Sequence, residues 1–113
     1  MDLINENLSQ QIILSIEIRA DSKDVCVSTT DCSFVMWNPI FIIKGNSKLV
    51  PFNQEFIKPL CGAIIYRVEI EDEDCIKFFT SSIKFFMSLR PCDYSGSEAM
   101  QLNGRKGEII VID

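Results

Sequence analysis

Five carboxylates occupy six consecutive positions in Glu69-Ile70-Glu71-Asp72-Glu73-Asp74. Like charges this close repel one another and favour any cation that settles among them, whether a metal ion or a basic protein surface. The plainer reading is a solvated turn, since turn tips are normally polar. A calcium loop would alternate oxygen ligands around a turn glycine. That pattern is missing, so no metal is expected. Asp21 and Asp24 form a smaller acidic pair earlier in the chain. Asp93, Tyr94 and Glu98 belong to Asp93-Tyr94-Ser95-Gly96-Ser97-Glu98-Ala99. Gly96 can turn the chain there, and Ser95 or Ser97 can bond the neighbouring backbone. This segment reads either as a second acidic contact surface or as a simple connection. Trp37, the only tryptophan, sits in Trp37-Asn38-Pro39 and reads either as an interaction hot spot or as a large core residue.

Catalysis has little to work with. The chain contains no histidine, which removes the commonest general base and metal ligand and makes Ser-His and Cys-His triads impossible. Neither a G-x-G-x-x-G nor a Walker-type phosphate loop occurs, and no paired cysteine spacing suits zinc. Every close carboxylate pair lies in what reads as an exposed turn, where nothing raises a pKa. The chain is therefore expected not to be an enzyme and to carry no cofactor.

The 113 residues fit one domain, with enough apolar residues, eight Phe among them, to build a core without staples. The formal net charge is −5, and the eleven Lys and Arg are scattered singly except for Arg105-Lys106. A basic stripe for nucleic acid is absent, and anionic membranes are disfavoured. No apolar run reaches the roughly 18–20 residues of a membrane span. Five cysteines, at 26, 32, 61, 75 and 92, make an odd set without Cys-x-x-Cys. Residues 1–7 hold acids and no basic leader region. Free thiols and a cytoplasmic, reducing location are expected.

The elements that position these groups follow from a repeat. Leu8–Ile18 (LSQQIILSIEI) and Leu60–Ile70 (LCGAIIYRVEI) are identical at Leu8/Leu60, Ile12/Ile64, Ile13/Ile65, Glu17/Glu69 and Ile18/Ile70. Dropping one residue from the following turn aligns Val25 with Ile76, Val27 with Phe78, Thr29 with Thr80, Phe34 with Phe85 and Met36 with Met87. Period-two alternation of β-branched residues predicts strands at 12–19 and 64–71, 25–29 and 76–80, then 33–38 and 83–89. A short helical turn is expected over 2–9. Between the halves, 40–43 suits a short strand, 44–47 a turn, and prolines 39, 51 and 59 limit any helix to about two turns near 52–58. Asn103-Gly104 and Gly107 predict a final hairpin between 99–102 and 108–112, with 109–112 a buried strand. The fold class expected is mainly β: one domain, 1–113, with an internal repeat 8–39 and 60–91. Two related three-stranded antiparallel meanders pack as a small sandwich or half-open barrel, plus a C-terminal hairpin.

Two segments also carry a resemblance: the third strand closing on Trp37-Asn38-Pro39, and Ser88-Leu89-Arg90-Pro91-Cys92-Asp93-Tyr94 running into Ser95-Gly96-Ser97-Glu98-Ala99. Together they resemble small acidic bacterial immunity proteins of contact-dependent or polymorphic toxin systems. Members of that group often have a Tyr-x-Gly-Pro-Glu-Ala segment after a β-meander, and here Ser97 stands in place of the proline. The resemblance implies a protein that neutralises a cognate, cationic toxin, such as a basic nuclease domain, by occlusion through carboxylates. Its implied contacts are Glu69, Glu71, Asp72, Glu73 and Asp74, with Asp21 and Asp24 at the equivalent turn, then Asp93, Tyr94 and Glu98. Two other readings stay open. A curled sheet could hold a small apolar ligand among Phe78, Phe85, Met87 and Trp37. An unpaired edge strand at 40–43 could make a homodimeric scaffold; the toxin-binding form itself is expected as a monomer or weak homodimer.

Overall fold

The computed structural model of the chain describes residues 2–21, 23–44, 48–71 and 73–113. Helix α1 (Asp2–Leu8) comes first, followed by β1 (Ile13–Ile18), β2 (Val25–Thr29) and β3 (Ser33–Met36). A hairpin of β4 (Ile40–Lys44) and β5 (Lys48–Pro51) follows. The second half repeats this order. A 3-10 turn (Gln54–Phe56) leads into α2 (Ile57–Leu60), then β6 (Ile65–Glu71), β7 (Cys75–Thr80) and β8 (Phe85–Ser88), then the hairpin of β9 (Met100–Asn103) and β10 (Ile109–Ile112). Both predicted meanders are present, and every strand pair is antiparallel.

The hairpins are exchanged between the halves. One sheet runs β1-β2-β3-β9-β10 and the other β5-β4-β8-β7-β6, so each meander is completed by the other half's hairpin. The two five-stranded sheets form a small, unclosed sandwich. The expectation that 40–43 offers an unpaired edge is therefore wrong: β4 lies between β5 and β8. Ile40 and Ile42 are buried, and alternation puts Phe41 and Ile43 on the outer face. The expectation that 109–112 is a buried strand also fails. β10 is a sheet edge, and Ile109 (66% exposed) and Val111 (40%) lie on its solvent face, because alternate side chains of a strand in a two-layer sandwich point away from the core.

Corresponding residues of the two halves make corresponding bonds. Ile12 and Ile64, matched positions of the repeat, pair with each other across an antiparallel bridge. Around them Gln10 N–H donates to Ile65 O (2.6 Å) and Gly62 N–H to Ile13 O (2.7 Å); Ile13 N–H donates to Ala63 O (2.9 Å) and Ile65 N–H to Gln11 O (2.8 Å). Ile12 N–H reaches the Thr30 hydroxyl and Ile64 N–H the Ser81 hydroxyl, both at 2.9 Å. Each first strand carries an irregularity at the matching place, between Ile13 and Ser15 and between Ile65 and Arg67. Where the hairpins cross over, Trp37 N–H donates to Ala99 O (2.9 Å) and Ser88 N–H to Pro39 O (3.0 Å).

The inward faces meet in one core, where Phe34, Phe78 and Phe85 stack at centroid separations of 5.7 and 4.5 Å. α1 buries Ile4 and Leu8, one turn apart, and lies along β6, where Asn5 Oδ1 accepts from Val68 N–H (2.8 Å). This covers a sheet edge that would otherwise show free backbone groups. The C-terminal end of α1 is held by Arg105, whose guanidinium donates to Asn7 O (3.0 Å) and Ser9 O (2.8 Å). A cation at that end satisfies carbonyls left over by the helix.

Candidate protein-binding surface

Among the described residues lies a groove of about 610 Å³. The ends of β1 and β2 supply Ile18 and Val25, with Lys23 from the turn between them. The β3–β4 crossing supplies Trp37, Asn38 and Pro39, and the β4–β5 hairpin with the residue after it supplies Phe41, Pro51 and Phe52. The crossing is short because only three residues, 37–39, join β3 to β4. Extended backbone cannot fold back over the sheet end in so few residues, so the aromatic walls remain uncovered. Asn38 is buried; its Nδ2 donates to Ser88 O (2.8 Å), while its Oδ1 has no partner. A buried acceptor left unpaired costs about 1–3 kcal/mol.

A second depression, about 270 Å³, adjoins the first and shares Phe41 and Asp93 with it; Asp74, Cys75, Phe86 and Arg90 complete much of its lining. Asp74 and Asp93, drawn from different sequence motifs, thus line the same depression. A shallower recess of about 210 Å³ joins Trp37 to Ser95, Gly96, Ser97 and Glu98. Trp37 is half-buried: it is neither a core residue nor fully solvated.

The remaining expected contacts are spread more widely. Glu69 pairs with Arg67 (3.3 Å), and Glu71 pairs with Lys77. Hydrogen bonding to Glu71 raises the Lys77 pKa. The chain's own cations therefore take up two carboxylates of the run. Glu73 and Asp74 are exposed, and Glu73 has a left-handed backbone (φ 60°). Asp72 lies outside the described residues. Asp21 is exposed and Asp24 half-buried, on a turn of the other sheet. Asp93 accepts from the Ser88 hydroxyl (2.5 Å), so part of its role is to hold the 88–93 segment. The Tyr94 hydroxyl donates to Asp113 O (3.0 Å) and its ring packs against the core.

Of the residues proposed for an apolar ligand, Phe78, Phe85 and Met87 are fully packed, and the void beside Phe85 is only about 10 Å³. Trp37 alone of the four lines the groove. Sequence reasoning missed Ile18, Pro51 and Phe52. Pro51 ends β5, a strand that had no expectation attached, and Phe52 follows it, while the final Ile of an amphipathic strand beside an acidic turn was the one available signal for Ile18.

Among the described residues, no group of three or more acidic or thiol side chains is placed to hold a metal ion, and no helix is long and apolar enough to cross a membrane. Cys26, Cys32, Cys61 and Cys92 are free thiols. Fold and site together define a small two-sheet β protein with an aromatic groove bordered by charge. No family model, curated protein or solved structure matches the chain.

Proposed function

We propose that this is a binding protein of the immunity kind, which captures a cationic protein toxin and neutralises it by stoichiometric occlusion rather than by catalysis. The observation that carries the reading is the pair of adjoining depressions with aromatic walls, Trp37, Phe41 and Phe52, and carboxylates Asp74 and Asp93 at their border. Interfaces that bind strongly have this anatomy: a few large anchors in a desolvated centre, and charge at the rim that steers approach. Glu73 and Asp74, together with Asp21 and Asp24 on the other turn, would speed capture of a basic surface, and Trp37 would hold it. The acidic run contributes less than its count suggests, because Arg67 and Lys77 already compensate Glu69 and Glu71.

The test is co-purification with, and protection against, the product of the adjacent reading frame. A one-to-one complex and restored growth of cells expressing that product are expected. Within the complex, Glu73→Lys with Asp74→Lys should lower the association rate at low salt several-fold, and Trp37→Ala should raise the dissociation rate. No complex and no protection would overturn the reading.

A further inference from the structure

The second half shows what lies at the place that matches the groove of the first half. The groove's walls have counterparts: Ile18 matches Ile70, Val25 matches Ile76, and Phe52 matches Ile112, since Phe52 bonds Ile40, which pairs with Met87, while Ile112 pairs with Met100, which pairs with Met36. At that matching place the chain does not cross over in three residues. Eleven residues, 89–99, join β8 to β9, and they fold back over the sheet end. Leu89 and Tyr94 from this segment pack against the core, and the Tyr94 hydroxyl is fixed on the carbonyl of Asp113, the residue after Ile112. This loop is anchored at that end of the second half, by Leu89 N–H on Asp74 O (2.7 Å) and the Tyr94 hydroxyl on Asp113 O (3.0 Å), and it brings one aliphatic and one aromatic side chain against the core.

We infer that the groove between Ile18, Trp37 and Phe52 is the docking site for a loop of the target protein that presents an aliphatic and an aromatic side chain, as residues 89–94 do within the chain. This rests on the reading of the protein as a binder of polypeptides, and it adds the feature of the partner that the groove recognises. The walls that meet such a loop are apolar, as Leu89 and Tyr94 require. Lys23 and Asp93, one of each sign, edge the groove and suit the polar backbone of a loop better than a purely apolar small molecule.

The single tryptophan lies in the groove and makes the test direct. The probe is a synthetic peptide of residues 88–98 with Cys92→Ser, titrated into the intact protein while Trp37 emission is followed. A saturable blue shift is expected, with Kd in the range of about 0.1–1 mM typical of a short loop without its scaffold. Peptides with Leu89→Asp or Tyr94→Ala should bind at least ten-fold more weakly. Ile18→Arg, which changes a half-buried wall residue and whose fold is checked by circular dichroism, should abolish the shift. No saturable change, or equal binding of the native and substituted peptides, would overturn the inference. So would tight binding of an apolar dye in the groove that the peptide fails to displace. None of these outcomes involves the toxin. Failure here with a toxin complex intact would place the partner elsewhere on the surface; success here without a toxin complex would remove only the partner's proposed identity.

Discussion

Gln10 and Gly62 occupy the same place in the two halves, both with left-handed backbone (φ 68° and 93°). One half solves the turn with glycine and the other tolerates a side chain. A Cβ built on Gly62 meets nothing within 4 Å, so Gly62→Ala introduces backbone strain without a clash. Left-handed geometry costs an L-residue roughly 1–2 kcal/mol. The smaller conformational entropy of the unfolded alanine chain returns about 0.4–1 kcal/mol. The net loss should be about 1 kcal/mol, or a fall in Tm of roughly 4 °C for a domain of this size. Gln10→Gly reverses the balance: relief of about 1–2 kcal/mol of strain against about 0.5–1 kcal/mol for ordering a glycine, a net gain of about 0.5 kcal/mol. Gln10 is exposed, so little packing is lost with its side chain. Urea unfolding of both variants and of the double variant, fitted with a common slope, measures this. The double variant should lie near the sum. A neutral Gly62→Ala together with a destabilising Gln10→Gly would refute the assignment of strain to these two positions.

Arg105→Ala removes guanidinium bonds to the last turn of α1 and should cost about 1–2 kcal/mol, with amide exchange at residues 5–9 accelerating more than in the Phe34 core. The Glu108 carboxylate accepts its own backbone N–H and that of Lys106, which lowers its pKa. The stability it contributes is present above the unfolded carboxylate value of about 4.3 and is lost as pH falls through the lower folded value. Glu108→Gln should flatten stability against pH over that acid limb, as followed by urea unfolding. Cys61 and Cys92 are exposed, whereas burial raises the pKa of the Cys32 thiol. A thiol reagent at neutral pH should therefore modify the first two rapidly and Cys32 only on unfolding, as read by mass mapping.

The meanders were legible because alternation of β-branched residues sets both period and facing: Phe85 and Met87 point inward and Phe86 outward, as the pattern of strand β8 requires. The hairpin exchange was not legible. Ile40-Phe41-Ile42-Ile43 shows only that a strand exists; whether it pairs beside β3 or β8 depends on contacts between residues over forty positions apart, such as Ile40 with Met87. The acidic turn was visible in the chain, but its partial neutralisation was not. Lys77 lies on β7, across the turn from Glu71, and their meeting follows from the register Glu69↔Lys77. The groove was least legible, since Trp37 reads the same whether packed or exposed until the length of the crossing beside it is compared with its counterpart.

That comparison bears on where binding resides. The features that both halves share, the Ile12–Ile64 bridge, the bulged first strands and the reciprocal bonds at Trp37 and Ser88, are what two stacked sheets need to hold together. A feature found in one half only is not demanded by that framework, because the other half closes without it. Ser88 stands where Trp37 stands in the first half, and both donate the same backbone bond, so the indole is not what fixes the crossing. Likewise each turn after a first strand holds one side chain in left-handed backbone, basic Lys23 after β1 and acidic Glu73 after β6. Exchanging these side chains, Trp37→Ser and Glu73→Lys, should leave the fold and its melting temperature nearly unchanged while weakening capture of the partner. If Trp37→Ser instead unfolds the protein, the indole belongs to the framework, and the groove loses its main claim as a site.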